Sequence, residues 1–235
     1  METKSIAKHI KVLTLFIKMS LMSLIEYRIN FTIGILVELA YLSAKLLYLF
    51  AVYNSGVSIN GLSPDYITLY IGIFTIVTAL YNGFFMDNVF NIPSLIRTGG
   101  LDLLLIKPIS LQMHLSLKNI NFSMLITNFI AGCFMITLSI SRLDLNVSLL
   151  KVIQFGFFVG IGVYVAYLIN MIFITFSFWT LESRGLIEMI DKGWDMNAMP
   201  RLIYPMKVQR FFSHLIPIFL VTNLPMELLM DKLDI

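Results

Sequence analysis

Residues 91–110 read NIPSLIRTGGLDLLLIKPIS, a broken stretch between two long apolar runs. It is too short and too interrupted to cross a bilayer, and Arg97, Asp102 and Lys107 sit where a hydrocarbon core would penalise them. Asn91-Ile92-Pro93 can open a short helix, with Pro93 near its first turn. Gly99-Gly100 stops that helix, because glycine accepts the left-handed cap. Leu101 to Ile106 then have room for a second short helix, ended by Pro108. Two amphipathic pieces joined by a glycine elbow make a compact knob at the membrane surface. One reading is an ordinary loop between spans. The other is a docking element, because a solvated loop has little need of Leu95, Ile96, Leu101, Leu103, Leu104, Leu105 and Ile106 unless something covers them.

The rest of the chain fixes the class. Of its 235 residues 58% are hydrophobic and 13% charged, with 14 Met and 19 Phe. A soluble domain of this size cannot hide that much apolar surface, so an all-α polytopic integral membrane protein is expected. Short alternating strands of the membrane β-barrel kind are absent from the sequence. The net charge of +3 is small and makes no case for nucleic acid. Cys133 stands alone in an apolar run, so neither a disulfide framework nor a cysteine zinc site is expected.

Residues 1–28 place Lys4, Lys8, Lys11 and Lys18 on one helical face and Ile6, Ile10, Leu13, Ile17, Leu21 and Leu24 on another. Such a helix lies in the membrane interface with its lysines toward anionic headgroups. The competing signal-peptide reading is weakened by Lys18 and by the lack of a small-residue cleavage site. Spans are expected at 31–53, 66–88, 115–139 and 149–180. The loop 54–65 has no Lys or Arg and is expected outside, which puts the N-terminus and the knob in the cytoplasm.

Polar residues in these spans are candidates for a pathway. Glu38 and Lys45 share a face of the first span about two turns apart, roughly 10 Å. Each faces the bundle interior or an aqueous path, with Lys45 alternatively reaching the outer surface. Tyr81 and Asn82, followed by Gly83, soften the inner end of the second span. In the third, Asn119, Asn121, Thr127 and Asn128 should serve helix packing. In the fourth, Gly156 and Gly160 offer a small-xxx-small face, and Tyr164, Tyr167 and Asn170 form a polar band. Tyr81, Asn82, Tyr167, Asn170 and Glu38 are the candidate pathway lining. Arg142 is balanced by Asp144 in the short loop after span three.

The segment 96–108 resembles the stretch after the second span of type-2 ATP-binding-cassette (ABC) exporter permeases. It is most similar to the branch with I-R-x-G-x-L-D-x-x-L-x-x-P, here Ile96, Arg97, Gly99, Leu101, Asp102, Leu105 and Pro108. Hydropathy order, Ser177-Phe178-Trp179 at the end of span four and a later proline-bearing apolar stretch extend the resemblance over most of residues 5–232. It implies a single permease domain, 1–235, that docks through 91–110 on a separate ATPase. Arg97, Gly99, Gly100, Leu101, Asp102, Leu105 and Pro108 would then be the coupling residues. It further implies alternating access in an exporter of the cytoplasmic membrane, paired with a second permease, a different one by preference. Hydropathy alone makes 181–210 a cytoplasmic amphipathic segment; the resemblance puts a partly polar fifth helix at 182–199, inside the bundle. Residues 211–229, split by Pro217 and Pro225, suit a re-entrant pair of half-helices. The usual sixth helix is not seen, which leaves a shortened member or a wall supplied by another subunit.

No G-x-x-x-x-G-K-[ST] phosphate loop occurs, so ATP and Mg are expected in the partner ATPase and no cofactor in this chain. No H-E-x-x-H or G-x-S-x-G occurs, and His9, His114 and His214 are scattered, so no catalytic or metal residues are assigned. The alternative function is a non-transporting scaffold, immunity or modulatory protein derived from such a permease. Multidrug or peptide efflux, a lipid-like molecule or a glycan all fit these spans.

Overall fold

A computed structural model describes residues 2–55, 62–180, 184–214 and 216–231, and these are helical almost throughout. Helix α1 is Glu2–Glu26, α2 is Arg28–Ser55 and α3 is Pro64–Tyr81. A π-helical segment, Asn82–Met86, continues α3 into α4, Asp87–Phe90. The knob comprises α5, Ile92–Arg97, and α6, Gly100–Leu105, followed by α7, Leu111–Leu117. Then come α8, Phe122–Arg142, and α9, Leu149–Thr175, with a 3-10 tail Phe176–Phe178. The last elements are α10, Arg184–Asp195, α11, Met206–His214, and α12, Leu220–Leu229. Four helical stretches are long and apolar enough to cross a membrane: Arg28–Ala51, Pro64–Arg97, Phe122–Arg142 and Leu149–Phe178. The protein is therefore all-α and polytopic, as its composition requires.

Helix α3 is the axis of the bundle. It is buried without a break from Ile67 to Val77, the signature of a helix with neighbours on every side. Ser63 caps its first turn by accepting from the Tyr66 amide, and Pro64 takes the first position. Helix α8 packs closest, with glycine on glycine: a Cβ on Gly132 would lie 2.8 Å from the Gly72 carbonyl oxygen. On another side α3 meets α9 and α12. Helix α2 lies outside α8, leaving Leu36, Tyr41, Leu47 and Phe50 exposed, a face suited to lipid.

Several expectations change. The third span starts at Phe122, not 115, because 111–117 is a separate helix and the chain breaks at 118–121. A Cβ built on Gly156 or Gly160 would meet no described residue within 4 Å, since their face of α9 is exposed. The close approach is made by Gly162, where a Cβ would lie 2.5 Å from the Val221 carbonyl oxygen. Arg142 turns to Asp65, 3.6 Å away at the head of α3, rather than to Asp144, which adopts a left-handed φ of 49°. The fifth helix is shorter than 182–199 and only one face of it is covered: Ile190 is buried while Met189 and Lys192 are exposed. Residues 182 and 183 of that expectation, and 56–61 of the outer loop, lie outside the described residues.

The expected hairpin is present but begins earlier, at Met206. Phe219 sits at its turn, fully buried between Phe212 and Tyr204, at ring distances of 5.8 and 5.2 Å. From there α12 climbs along α9 from Gly162 toward Lys151, which bonds Asp231 at 2.7 Å. Both ends of the hairpin therefore belong to the face opposite the knob. Its mouth is held by Arg201 and Glu227, 2.6 Å apart. Pro225 is tolerated inside α12 because the surrounding protein shields the backbone it leaves unpaired.

Candidate coupling site

The knob forms as its residues dictate. Pro93 occupies the first turn of α5, and Gly99, at φ +71°, makes the elbow into α6. No heavy atom lies within 4 Å of a Cβ built on Gly99, so glycine is required there by conformation and not by space. Leu101 and Leu104 turn inward, each 9% exposed. Leu103, Leu105 and Ile106 turn outward, 65, 60 and 81% exposed, beside exposed Arg97, Asp102, Lys107 and Pro108. Of the expected contact residues, Leu101 thus serves the knob's own core, while Leu103 and Ile106 join the outer face.

Beside α5 lies the end of α9. Pro93, Ile96 and Arg97 share with Ser177, Phe178 and Trp179 a groove of about 270 Å³. Trp179 is 76% exposed on its rim. The Ser-Phe-Trp triplet and the I-R-x-G segment, about eighty residues apart in sequence, form one surface.

Behind the knob is a hub that explains how the chain can break at 118–121. Three consecutive backbone N–H groups there lose helical partners, and each finds one on a different element. The Asn119 N–H donates to Asn88 Oδ1 at 2.9 Å, and Asn88 Nδ2 returns a bond to the Asn119 carbonyl at 2.7 Å. The Ile120 N–H donates to Ser20 Oγ of α1 at 3.1 Å. The Asn121 N–H donates to the Gly83 carbonyl at 2.8 Å. That carbonyl lies in the π segment, where the wider turn displaces backbone groups from the regular ladder. Asn121 then caps α8, its Oδ1 accepting from the Met124 amide. Gly83 permits the approach, since a Cβ there would lie 2.9 Å from Leu125 Cβ.

A second clip joins α7 to α9. Tyr167 and Ser116 share a hydroxyl bond of 2.7 Å, and Gln112 Nε2 donates to the Tyr167 hydroxyl at 3.3 Å. The Tyr167 ring meets Phe85 of the π segment at 5.0 Å, and Tyr81 meets Trp194 of α10 at 5.0 Å. His114, also on α7, packs edge-on against Phe16 of α1 at 5.6 Å. Burial, and then Lys118 and Lys107, hold its pKa below the ordinary imidazole value.

The candidate pathway residues separate into two groups. Glu38 is buried and accepts from Asn128 Nδ2 at 2.6 Å. Lys45 reaches Thr75 Oγ1 at 3.3 Å with Phe74 beneath it, so these two charges pair with other helices and not with each other. Tyr81, Tyr167 and Asn170 are all buried inside the subunit, and Asn82 is half-buried on the π segment. Sequence reading missed Asn88, Gln112, Ser116 and Trp194. The Tyr81-Asn82-Gly83 weakening was the one signal near them, because a single polar residue in an apolar run does not announce a backbone partner.

This architecture, four apolar spans with a surface knob held by a polar hub, is that of a polytopic helical membrane protein. Residues 39–235 match the family model described as ABC-2 family transporter protein, and the chain belongs to that family. Membership makes it the membrane permease component of an ABC transporter, a class that implies association with an ABC ATPase. No match was found among curated proteins or among solved structures.

Proposed function

We propose that this chain is an exporter permease that receives its driving force through residues 91–110 from a separate ATPase. The observation that carries the reading is the triple N–H relay at 119–121. It ties the chain following the knob to α1, to α4 and to the π segment that continues α3, so a displaced knob would move the spans with it. The ATPase, which would hold ATP and Mg, would meet Leu103, Leu105, Ile106, Asp102 and Arg97, with Trp179 at the edge of the contact. Exposed apolar side chains of this size on a knob in water favour a covering partner. Lysines on α1 and basic residues around the knob favour the cytoplasmic side for both, and the membrane assigned to the chain in this reading is the plasma membrane. A second permease subunit, preferably a different one, would complete the path. Its place is consistent with the unpartnered face of α9 at Gly156 and Gly160.

The test is co-purification in mild detergent with mass spectrometry, on the parent and on Leu103→Asp with Ile106→Asp. Both positions are exposed, so the fold should survive. Recovery of an ATPase with the parent and its loss from the double variant is the expected result. Equal recovery with both would remove the knob from the contact, and no ATPase with either would refute the exporter reading.

A further inference from the structure

A cleft of about 560 Å³ lies where α1 passes into α2 across the single residue Tyr27, against the chain break at 118–121. The helices that leave it fix its depth in the membrane. The spans Arg28–Ala51 and Phe122–Arg142 both begin beside it, and Asp87 opens α4, the turn just before the knob. The cleft therefore sits at the level of the lipid headgroups, on the same side as the knob.

Its walls are mixed, as that level demands. Leu24, Phe31 and Phe122 supply apolar surface. Ser23, Tyr27, Asn30, Asp87 and Lys118 supply polar groups, and all five residues are exposed, so a ligand in the cleft can reach them. Asp87 and Lys118 are the two charges among the lining residues, and they do not pair with each other. Asp87 Oδ2 accepts from Asn121 Nδ2 at 3.1 Å. Neither Asp87 Oδ1 nor Lys118 Nζ has a hydrogen-bond or ion-pair partner among the described residues.

A carboxylate and an ammonium, both unpaired and both beside an apolar wall, select among lipids. A headgroup carrying one negative charge would satisfy Lys118 and be repelled by Asp87. A quaternary ammonium could approach Asp87 but has no hydrogen to donate. A primary ammonium offers Asp87 both charge and a hydrogen bond, and a phosphate offers the same to Lys118. We infer that this cleft binds a phospholipid with a phosphoethanolamine headgroup, its phosphate on Lys118, its ammonium on Asp87 Oδ1, and its acyl chains along Phe31 and Phe122. The bound lipid would brace the hub, because Ser20, which holds the Ile120 N–H, and Asn121, which caps α8, line the same cleft. The site is independent of the ATPase contact and of the direction of transport.

The experiment is native mass spectrometry of the full chain released from detergent. The chain is titrated with phosphatidylethanolamine, phosphatidylcholine and phosphatidylglycerol of identical acyl chains. The parent should retain phosphatidylethanolamine over the other two by about tenfold. In Asp87→Asn, whose amide oxygen can still accept from Asn121, that lipid should fall to the level of phosphatidylcholine, with phosphatidylcholine itself unchanged. Lys118→Gln should weaken both alike, because both carry the phosphate. Both positions are exposed, and melting curves close to the parent's would establish that the variants fold. Soluble phosphoethanolamine at the same concentration should not displace the lipid; displacement would overturn a lipid as the occupant. Equal retention of the three lipids by the parent, or a preference for phosphatidylethanolamine that persists in both variants, would overturn the site. A preference for phosphatidylglycerol that disappears in Lys118→Gln alone would overturn the zwitterionic ligand and leave a simple anion contact.

Discussion

Replacing Asn88 by alanine tests the hub directly. The side chain is 5% exposed and makes three backbone contacts, to the Phe84 carbonyl at 3.0 Å and to both polar groups of Asn119. The Phe84 carbonyl sits at the start of the same helical turn and tolerates the loss. The Asn119 N–H and C=O, part-buried in these bonds, are then left without their protein partner, each costing about 1–3 kcal/mol. Partial hydration from the nearby surface keeps the sum at the lower end, about 2–4 kcal/mol. At roughly 2–4 °C per kcal/mol for a chain of this size, the melting temperature should fall by about 4–16 °C. The assay is tryptophan-fluorescence melting in detergent, beside the ATPase rate of the complex with and without transported substrate. The variant complex should still assemble, because the outer face of the knob is untouched, but should lose substrate stimulation. Asp87→Ala, one residue away, removes only an exposed bond of the same hub, from Asn121 Nδ2 at 3.1 Å, and should shift melting less. A fall of less than about 2 °C with stimulation intact would refute the idea that the relay carries force between knob and spans.

Other expectations are shorter. Gly99→Ala should cost about 1 kcal/mol through its positive φ, whereas Gly99→Asn should cost less; denaturant titration separates them. Gly162→Ala should destabilise by about 1–3 kcal/mol, because the obstructing atom is the Val221 backbone oxygen, while Gly156→Ala and Gly160→Ala should leave the isolated subunit unchanged in melting. Asn128→Leu should lower melting far more than Glu38→Gln, since it strands a buried carboxylate whereas the glutamine oxygen can still accept. His114 has a folded pKa below its unfolded one, so the unfolded chain binds more protons between the two values. Stability should therefore drop as pH falls from the ordinary imidazole range through the lower folded pKa, and melting of His114→Phe should lack that component.

The spans and the knob were legible because their signals are local: apolar length, Pro93, and the glycine elbow. The break at 118–121 was not, because Asn119 and Asn121 read equally well as polar packing residues inside a span that continues to 142. The stop is made by groups at 20, 83 and 88, which enter only once the helices pack. In the same way the glycine pair at 156 and 160 marked a face for close approach that no described residue of this chain occupies. Spacing could not say that the neighbour within this subunit stands at Gly162 instead. Leu101 shows the limit in a short amphipathic helix, where one residue of rotation decides between the inner and the outer face. The re-entrant hairpin was legible for the opposite reason: two prolines in a short apolar run leave few other solutions.

The π segment at Asn82–Met86 also sets a rule for length. Each residue of a regular helix advances the azimuth by about 100°, and a π turn accommodates one residue more than an α turn. Deleting a single residue between 82 and 86 would let the segment relax to α-helix with the angular phase from Asp87 onward kept, whereas deleting one from the regular part of α3 would turn everything from Asp87 to Arg97 by about 100° against α8. In that second case Asn88 would swing off Asn119, and the knob would face a different direction with its own sequence unchanged. A codon lost in the π segment therefore spares the direction of the knob, and one lost in α3 rotates its whole exposed face.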